Sequence, residues 1–189
     1  MKKDSAPQTY SSVRFFPNWD PTNGRQVSGL IHLMCDMGQN CQQPLSGIEI
    51  GSFYGESALI ISSFPFIKLL VCVDLHKPGL QFSQKRLIHH KEKIKLIHGA
   101  SAKIASKLPD GGFDFVYVDA AHDYDSVKED LDLWSKKVKP GGLICGHDYW
   151  AGGDVWPGVK SAVDEFAAKN RINNFKTYCD SSYMMAKPL

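Results

Sequence analysis

The sequence predicts an α/β fold, a mostly parallel sheet with helices on both faces and an antiparallel hairpin at its end. Three observations predict it. Apolar runs of strand length alternate with helical patterns, a glycine turn closes the first run and opens a helix, and only three residues separate the last two runs.

The strands are predicted at residues 47–50, 69–74, 94–98, 113–118 and 143–146, with helices after each. Such a βαβ series makes a parallel sheet and puts ligands beyond the carboxyl ends of its strands. Between the fourth and fifth strands, Ser126-Val127-Lys128-Glu129 reads as a capping box, and Pro140-Gly141-Gly142 as the stop that ends its helix. Residues 175–179 and 183–186 form two further strands joined by Asp180-Ser181-Ser182, a link too short for a parallel crossover, so they pair as a hairpin. At the amino end, residues 24–37 suit a helix covering the cofactor edge. Residues 10–23, with Pro17 and Pro21 among aromatics, read as an irregular arm that either lines a substrate site or packs as an ordered tail. One domain is expected over 1–189, with an arm and helix at 1–45 and the sheet core at 46–189.

Composition narrows the function. The chain is 43% hydrophobic, enough for a proper core, and its net charge of +2 implies no strong field for nucleic acid or an acidic membrane. The basic stretch from Lys85 to Lys95 reads as the solvated side of a helix and its exit. Five cysteines, odd in number and without a C-x-x-C pair, read as reduced core residues. No apolar run approaches the roughly 18 residues of a membrane span and no signal core follows Met1, so a cytoplasmic protein is expected.

The chemistry concentrates in Glu49-Ile50-Gly51-Ser52-Phe53-Tyr54-Gly55-Glu56-Ser57, where a strand ends in a tight glycine loop at a helix start. Gly51 and Gly55 lack a Cβ, so a ligand can approach the backbone and the helix-start N–H groups. About one βα unit later, Asp74 ends the second strand, where a carboxylate accepts hydrogen bonds from both hydroxyls of a ribose. Together they imply an adenosine-type ligand. An NAD-type oxidoreductase needs G-x-G-x-x-G for a pyrophosphate, whereas this loop is G-x-x-x-G with Phe53 and Tyr54 inside it.

That spacing, with Glu49 before it, resembles motif I of the class I S-adenosylmethionine-dependent methyltransferases. The resemblance implies a Rossmann-like seven-stranded sheet in the order 3-2-1-4-5-7-6, with strand 7 antiparallel. It also implies that Glu49, Gly51, Ser52, Tyr54, Gly55 and Ser57 cradle the methionine and ribose portions, and that Asp74, with Leu75 beside it, takes the ribose diol. Ala100 and Ser101 match the loop that contacts the adenine in the catechol enzymes, and Asp119 borders the cofactor.

Asp119 ends the fourth strand, His122 follows in its loop, and His147-Asp148 ends the fifth. Two carboxylates at one sheet edge repel unless a cation lies between them. These positions resemble the metal and base residues of the metal-dependent O-methyltransferases of the catechol and macrolide-sugar types, methyltransferase family 24-like, over about residues 47–166. The implied ligands are Asp119, His147 and Asp148 around Mg²⁺ or Mn²⁺, with His122 as base. The implied acceptor is a small-molecule or sugar hydroxyl. The chain departs from both types at the third ligand: the catechol enzymes have Asp-Asn where it has Asp148-Tyr149, and the macrolide enzymes Glu-Asp where it has His147-Asp148. Tyr149, Trp150 and Trp156 either stack on the acceptor or anchor a loop. A non-catalytic S-adenosylmethionine-binding module is the alternative reading, and a homodimer is left open.

Overall fold

The computed structural model describes residues 28–39, 41–149 and 156–189. Seven strands form one sheet: β1 (Leu45–Ile50), β2 (Ile67–Asp74), β3 (Ile94–His98), β4 (Phe113–Val118), β5 (Val138–Gly146), β6 (Phe175–Thr177) and β7 (Tyr183–Ala186). Their order is β3-β2-β1-β4-β5-β7-β6, with β7 antiparallel to both β5 and β6 and the other pairs parallel. The expected sheet and its terminal hairpin are therefore present. Six helices accompany it among the described residues: α1 (Ser28–Gln39), α2 (Glu56–Ser63), α3 (Lys77–Arg86), α4 (Ser101–Ala105), α5 (Tyr124–Trp134) and α6 (Pro157–Lys169).

Both sheet faces are buried, which is why the central strands read as continuous apolar runs. In β2, Leu70 and Cys72 join a cluster with Leu33, Met34, Ile61 and Phe64 from the α1 and α2 side. Val71 and Val73 join the opposite cluster with Val127, Leu131, Trp134 and Val163 from α5 and α6. The strand order reverses between β1 and β4, so the loops after them diverge and leave a crevice at the carboxyl edge.

Three expectations change. The helix expected to be capped by Ser126 starts earlier: Asp123 is the N-cap, its carboxylate accepting from the Ser126 amide at 3.0 Å, because an Asp-x-x-Ser pattern overlaps the Ser-x-x-Glu one. Pro140-Gly141-Gly142 does not stop that helix but lies within β5, in an excursion where Phe113 pairs with Val138 and Phe115 with Leu143. Gly141, at φ 72°, makes the bend, and its N–H donates to the Lys187 carbonyl. Of the five cysteines, Cys72 and Cys145 are buried in the core, Cys35 and Cys41 are partly buried, and Cys179 is exposed.

The amino-terminal helix is described from Ser28, while residues 24–27, the arm at 10–23 and Trp150 lie outside the described residues. Asp180, in the β6–β7 turn, is buried and accepts from the Leu30 amide at 2.7 Å and the Ser182 amide at 2.9 Å. The terminal hairpin thus anchors the first turn of α1, 150 positions away in sequence. No helix among the described residues is long and apolar enough to cross a membrane.

Candidate active site

The β1–α2 loop is held by its neighbours before any ligand is considered. Gly51 stands at φ 86°, and a Cβ there would lie 2.0 Å from the Asp119 carbonyl oxygen. Its glycine is required by the close approach of the β4 end, in addition to the ligand access expected from sequence. Gly55, at φ 78°, is the N-cap of α2. Asp74 ties this loop to β2: its Oδ2 accepts from the Phe53 amide and its Oδ1 from the His76 amide, each at 2.6 Å. Each oxygen keeps a lone pair for a further donor.

A cleft of about 1080 Å³ runs along this edge. Gly51, Ser52, Tyr54, Ser57, Asp74 and Leu75 line one side, Ala100 and Ser101 another, and Asp119, His122, His147 and Asp148 a third. Of the residues assigned to the cofactor, Glu49 and Gly55 lie behind the lining. Glu49 is fully buried, and among the described residues neither carboxylate oxygen has a partner at full hydrogen-bond geometry, Ser57 and Cys72 standing nearest; Ser52 Oγ likewise lacks one. Burial pushes the Glu49 pKa up to about 7, with Ser57 and Cys72 opposing the rise.

The third side is a charged cluster. His122 Nε2 stands 2.9 Å from Asp148 Oδ2, and His147 Nδ1 stands 3.1 Å from Asp148 Oδ1. Asp119, His122 and Asp148 each offer a ligand atom, all within 4.8 Å of one another, whereas His147 lies outside that set. Asp148 is in the left-handed region, φ 59°, an uncommon state for a residue other than glycine and a frequent mark of functional loops. Burial raises the Asp119 pKa to about 6, partly offset by His147 and His122. Burial alone would depress His147, but its bond to Asp148 and the fields of Asp119, Asp148 and Asp180 outweigh it, leaving a pKa of about 9. Burial likewise opposes the Asp148 carboxylate, yet the two histidines hold its pKa below the ordinary value.

The family model of a methyltransferase domain matches residues 48–149, more than half of the chain. The chain belongs to this methyltransferase family. A relative from Acanthamoeba polyphaga mimivirus, an uncharacterized protein, is 29% identical over 153 residues, which are 71% of this chain; the chain spans 64% of that relative's length. Among solved structures, a Staphylococcus aureus protein provisionally named a caffeoyl-CoA O-methyltransferase superposes with a TM-score of 0.69 at 18% identity, covering 84% of this chain and 82% of its own. An O-methyltransferase from Bacillus cereus, in complex with SAH, does so with a TM-score of 0.62 at 16% identity, covering 91% and 83%. At such identities the likeness concerns the fold.

Residues with no motif of their own in the sequence also shape the cleft. Asp130 and Trp134 on α5 reach Ser101: the Ser101 hydroxyl donates to Asp130 Oδ1, and Trp134 Nε1 donates to Ser101 Oγ at 2.6 Å. The available signal was an acid on the helix face made by Val127, Leu131 and Trp134, where only apolar residues are expected. Trp156 stacks on His122, ring centroids 4.3 Å apart and planes at 23°. Tyr149 instead anchors structure, donating to Asp164 at 2.7 Å and packing on Phe175 and Tyr183. His90 and His98 likewise meet Ser62 Oγ and the Leu75 carbonyl.

Proposed function

We propose that the chain is an S-adenosylmethionine-dependent methyltransferase acting on a hydroxyl of a small molecule or sugar, with His122 as base and a divalent cation, Mg²⁺ or Mn²⁺, at Asp119 and Asp148. The observation that carries the proposal is that one cleft joins a ribose-type carboxylate, Asp74, to the His122–Asp148 pair. Its volume of about 1080 Å³ lies just above the roughly 300–1,000 Å³ usual for small-molecule sites, enough for a cofactor and an acceptor together.

The residues fit the cofactor. Behind the lining of the glycine loop, the Glu49 carboxylate, without a full hydrogen-bond partner among the described residues, supplies a negative field suited to the cationic end of an amino acid, and Asp74 has lone pairs left for a diol. They fit a cation too, since two carboxylates and nearby imidazoles are a donor set for Mg²⁺, Mn²⁺ or a similar ion. In this reading His147, tied to Asp148 through Nδ1, keeps Nε2 as the third donor, and His122 stays free to take the acceptor's proton.

When bound, S-adenosylmethionine supplies a methyl on a good leaving group and the cation lowers the acceptor hydroxyl's pKa. The protein's part is to hold the acceptor oxygen behind that methyl and accept its proton at His122 Nδ1, the nitrogen left basic when Nε2–H donates to Asp148. Asp148 orients the imidazole by accepting from its Nε2–H, and Trp156 fixes its plane. The test is transfer of a labelled methyl group to a panel of catechols and sugars. His122→Ala is expected to retain S-adenosylhomocysteine binding and lose about 100-fold or more in turnover; loss of binding instead would refute the base assignment.

A further inference from the structure

Tyr183 is fully buried in β7, yet its hydroxyl has no hydrogen-bond partner among the described residues. Packing alone would be served by phenylalanine: the ring stacks on Phe175 with the planes at 16° and meets Tyr149 at its other side chain contact. The sheet sets where the hydroxyl lies. Tyr183 pairs with Gly146 at the end of β5, and a Cβ on that glycine would stand 2.5 Å from the tyrosine hydroxyl and 2.5 Å from the Val118 carbonyl oxygen. The hydroxyl is therefore at the carboxyl ends of β4 and β5, beside the residues that directly precede Asp119 and His147. A cavity of about 10 Å³ lies there, lined from the core by Val127, Val159 and Tyr183 and on its other side by Asp119, His147 and Asp148, which also line the cleft. Such a volume is the space of about one water molecule, and a buried water is held where it meets several polar partners.

We infer that this cavity holds one structural water that accepts from the Tyr183 hydroxyl and donates to the Asp119 carboxylate, which makes Tyr183 a positioning residue for the cation side of the cleft. The water's second proton finds the Val118 carbonyl, which accepts from the His147 amide at 3.1 Å and keeps a further lone pair. Asp119 is favoured over Asp148 because each Asp148 oxygen already faces a histidine. The Asp119 field also reaches the hydroxyl: burial, then the fields of Cys145 and Asp119, hold the Tyr183 pKa above its ordinary value. Through the water, the terminal hairpin fixes the rotation of a carboxylate on another strand, as outer partners of a ligand do. The positioning role rests on the cation reading of the cleft; the water itself does not.

The test is Tyr183→Phe in the full chain, which removes the hydroxyl and keeps the ring. A hydroxyl bonded to a held water makes its loss destabilising, and the variant should melt about 2–4 °C below the wild type. Removal of an orphaned hydroxyl would stabilise, so an unchanged or higher melting temperature would overturn the inference. A high-resolution crystal structure of the wild-type chain should show the water within hydrogen-bond distance of the Tyr183 hydroxyl and of Asp119; a protein group against the hydroxyl in its place, or a cavity without density, would likewise overturn it. For the positioning role, Mn²⁺ affinity in the presence of S-adenosylhomocysteine should fall about tenfold in Tyr183→Phe while S-adenosylhomocysteine affinity stays the same. Unchanged Mn²⁺ affinity would overturn that role and leave the cation reading standing. Failure of the wild-type chain to bind Mn²⁺ would overturn the cation reading and the positioning role together, with the water still decided by the melt and the density.

Discussion

Gly51 and Asp119 meet across adjacent strand ends, so closely that a Cβ on the glycine would lie 2.0 Å from the aspartate's carbonyl oxygen. The loop that opens the cofactor side and the residue that opens the cation side are therefore one packed unit. Gly51→Ala meets both a left-handed backbone and this collision. It is expected to destabilise the fold by at least about 2 kcal/mol and to weaken S-adenosylhomocysteine binding. Gly55→Ala, at φ 78° against the movable Ser83 side chain, should cost about 1–2 kcal/mol. Urea unfolding of both variants checks the order, and equal losses would mean that the Asp119 contact is unimportant.

The two histidines at Asp148 make opposite predictions for a cation. With S-adenosylhomocysteine present, Mn²⁺ affinity measured by electron paramagnetic resonance should fall about tenfold or more in His147→Ala and stay nearly unchanged in His122→Ala. The reverse result would make His122 the third donor, as its distance to Asp119 and Asp148 allows, and would leave the base unassigned. Asp119→Ala should abolish binding.

Stability of the ligand-free protein should decline with pH in two windows. Glu49's folded pKa of about 7 lies above its ordinary 4.5, so the folded state binds more protons and stability falls as pH rises between those values. The loss is of the order of 3 kcal/mol and is complete above about pH 7. His147, raised from 6.5 to about 9, contributes stability that is full below 6.5 and is lost as pH rises through 9. Glu49→Gln should make the lower window shallower, leaving the share of Asp119, whose pKa is raised from 3.8 to about 6, and should keep the upper one, while weakening S-adenosylhomocysteine binding. Chemical denaturation at a series of pH values reads both, and an unchanged lower slope in Glu49→Gln would rule out the assigned titration.

The helix cap gives a cleaner contrast. Asp123→Ala removes the side chain that accepts from the Ser126 amide and should cost about 1 kcal/mol, whereas Ser126→Ala, inside the first turn, should cost little. Thermal melts of the pair decide between the two starts of α5.

Much of the fold was legible because its signals are local. The apolar runs at 94–98 and 113–118 match β3 and β4, and the short link at 180–182 could only serve a hairpin. Asp74, Asp119 and Asp148 were legible as site residues for a related reason: each follows or ends a buried strand at the edge where such sheets bind ligands. What escaped depends on three-dimensional neighbours. The β5 excursion at Pro140-Gly141-Gly142 imitates a helix stop, and its continuation as a strand is set by pairing with β4 and by Lys187. The left-handed turn at Asp148 has no glycine to announce it. The union of Ser101 with Asp130 and Trp134 joins positions 29 and 33 residues apart, with only one buried acid on α5 as a trace.

Calorimetric titration of the purified chain with S-adenosylhomocysteine, with NAD as control, tests the central claim most directly. A saturable one-site heat with S-adenosylhomocysteine, absent with NAD and lost in Asp74→Ala, is the predicted result. Binding of NAD alone, or of neither, would contradict the assignment of this cleft to S-adenosylmethionine.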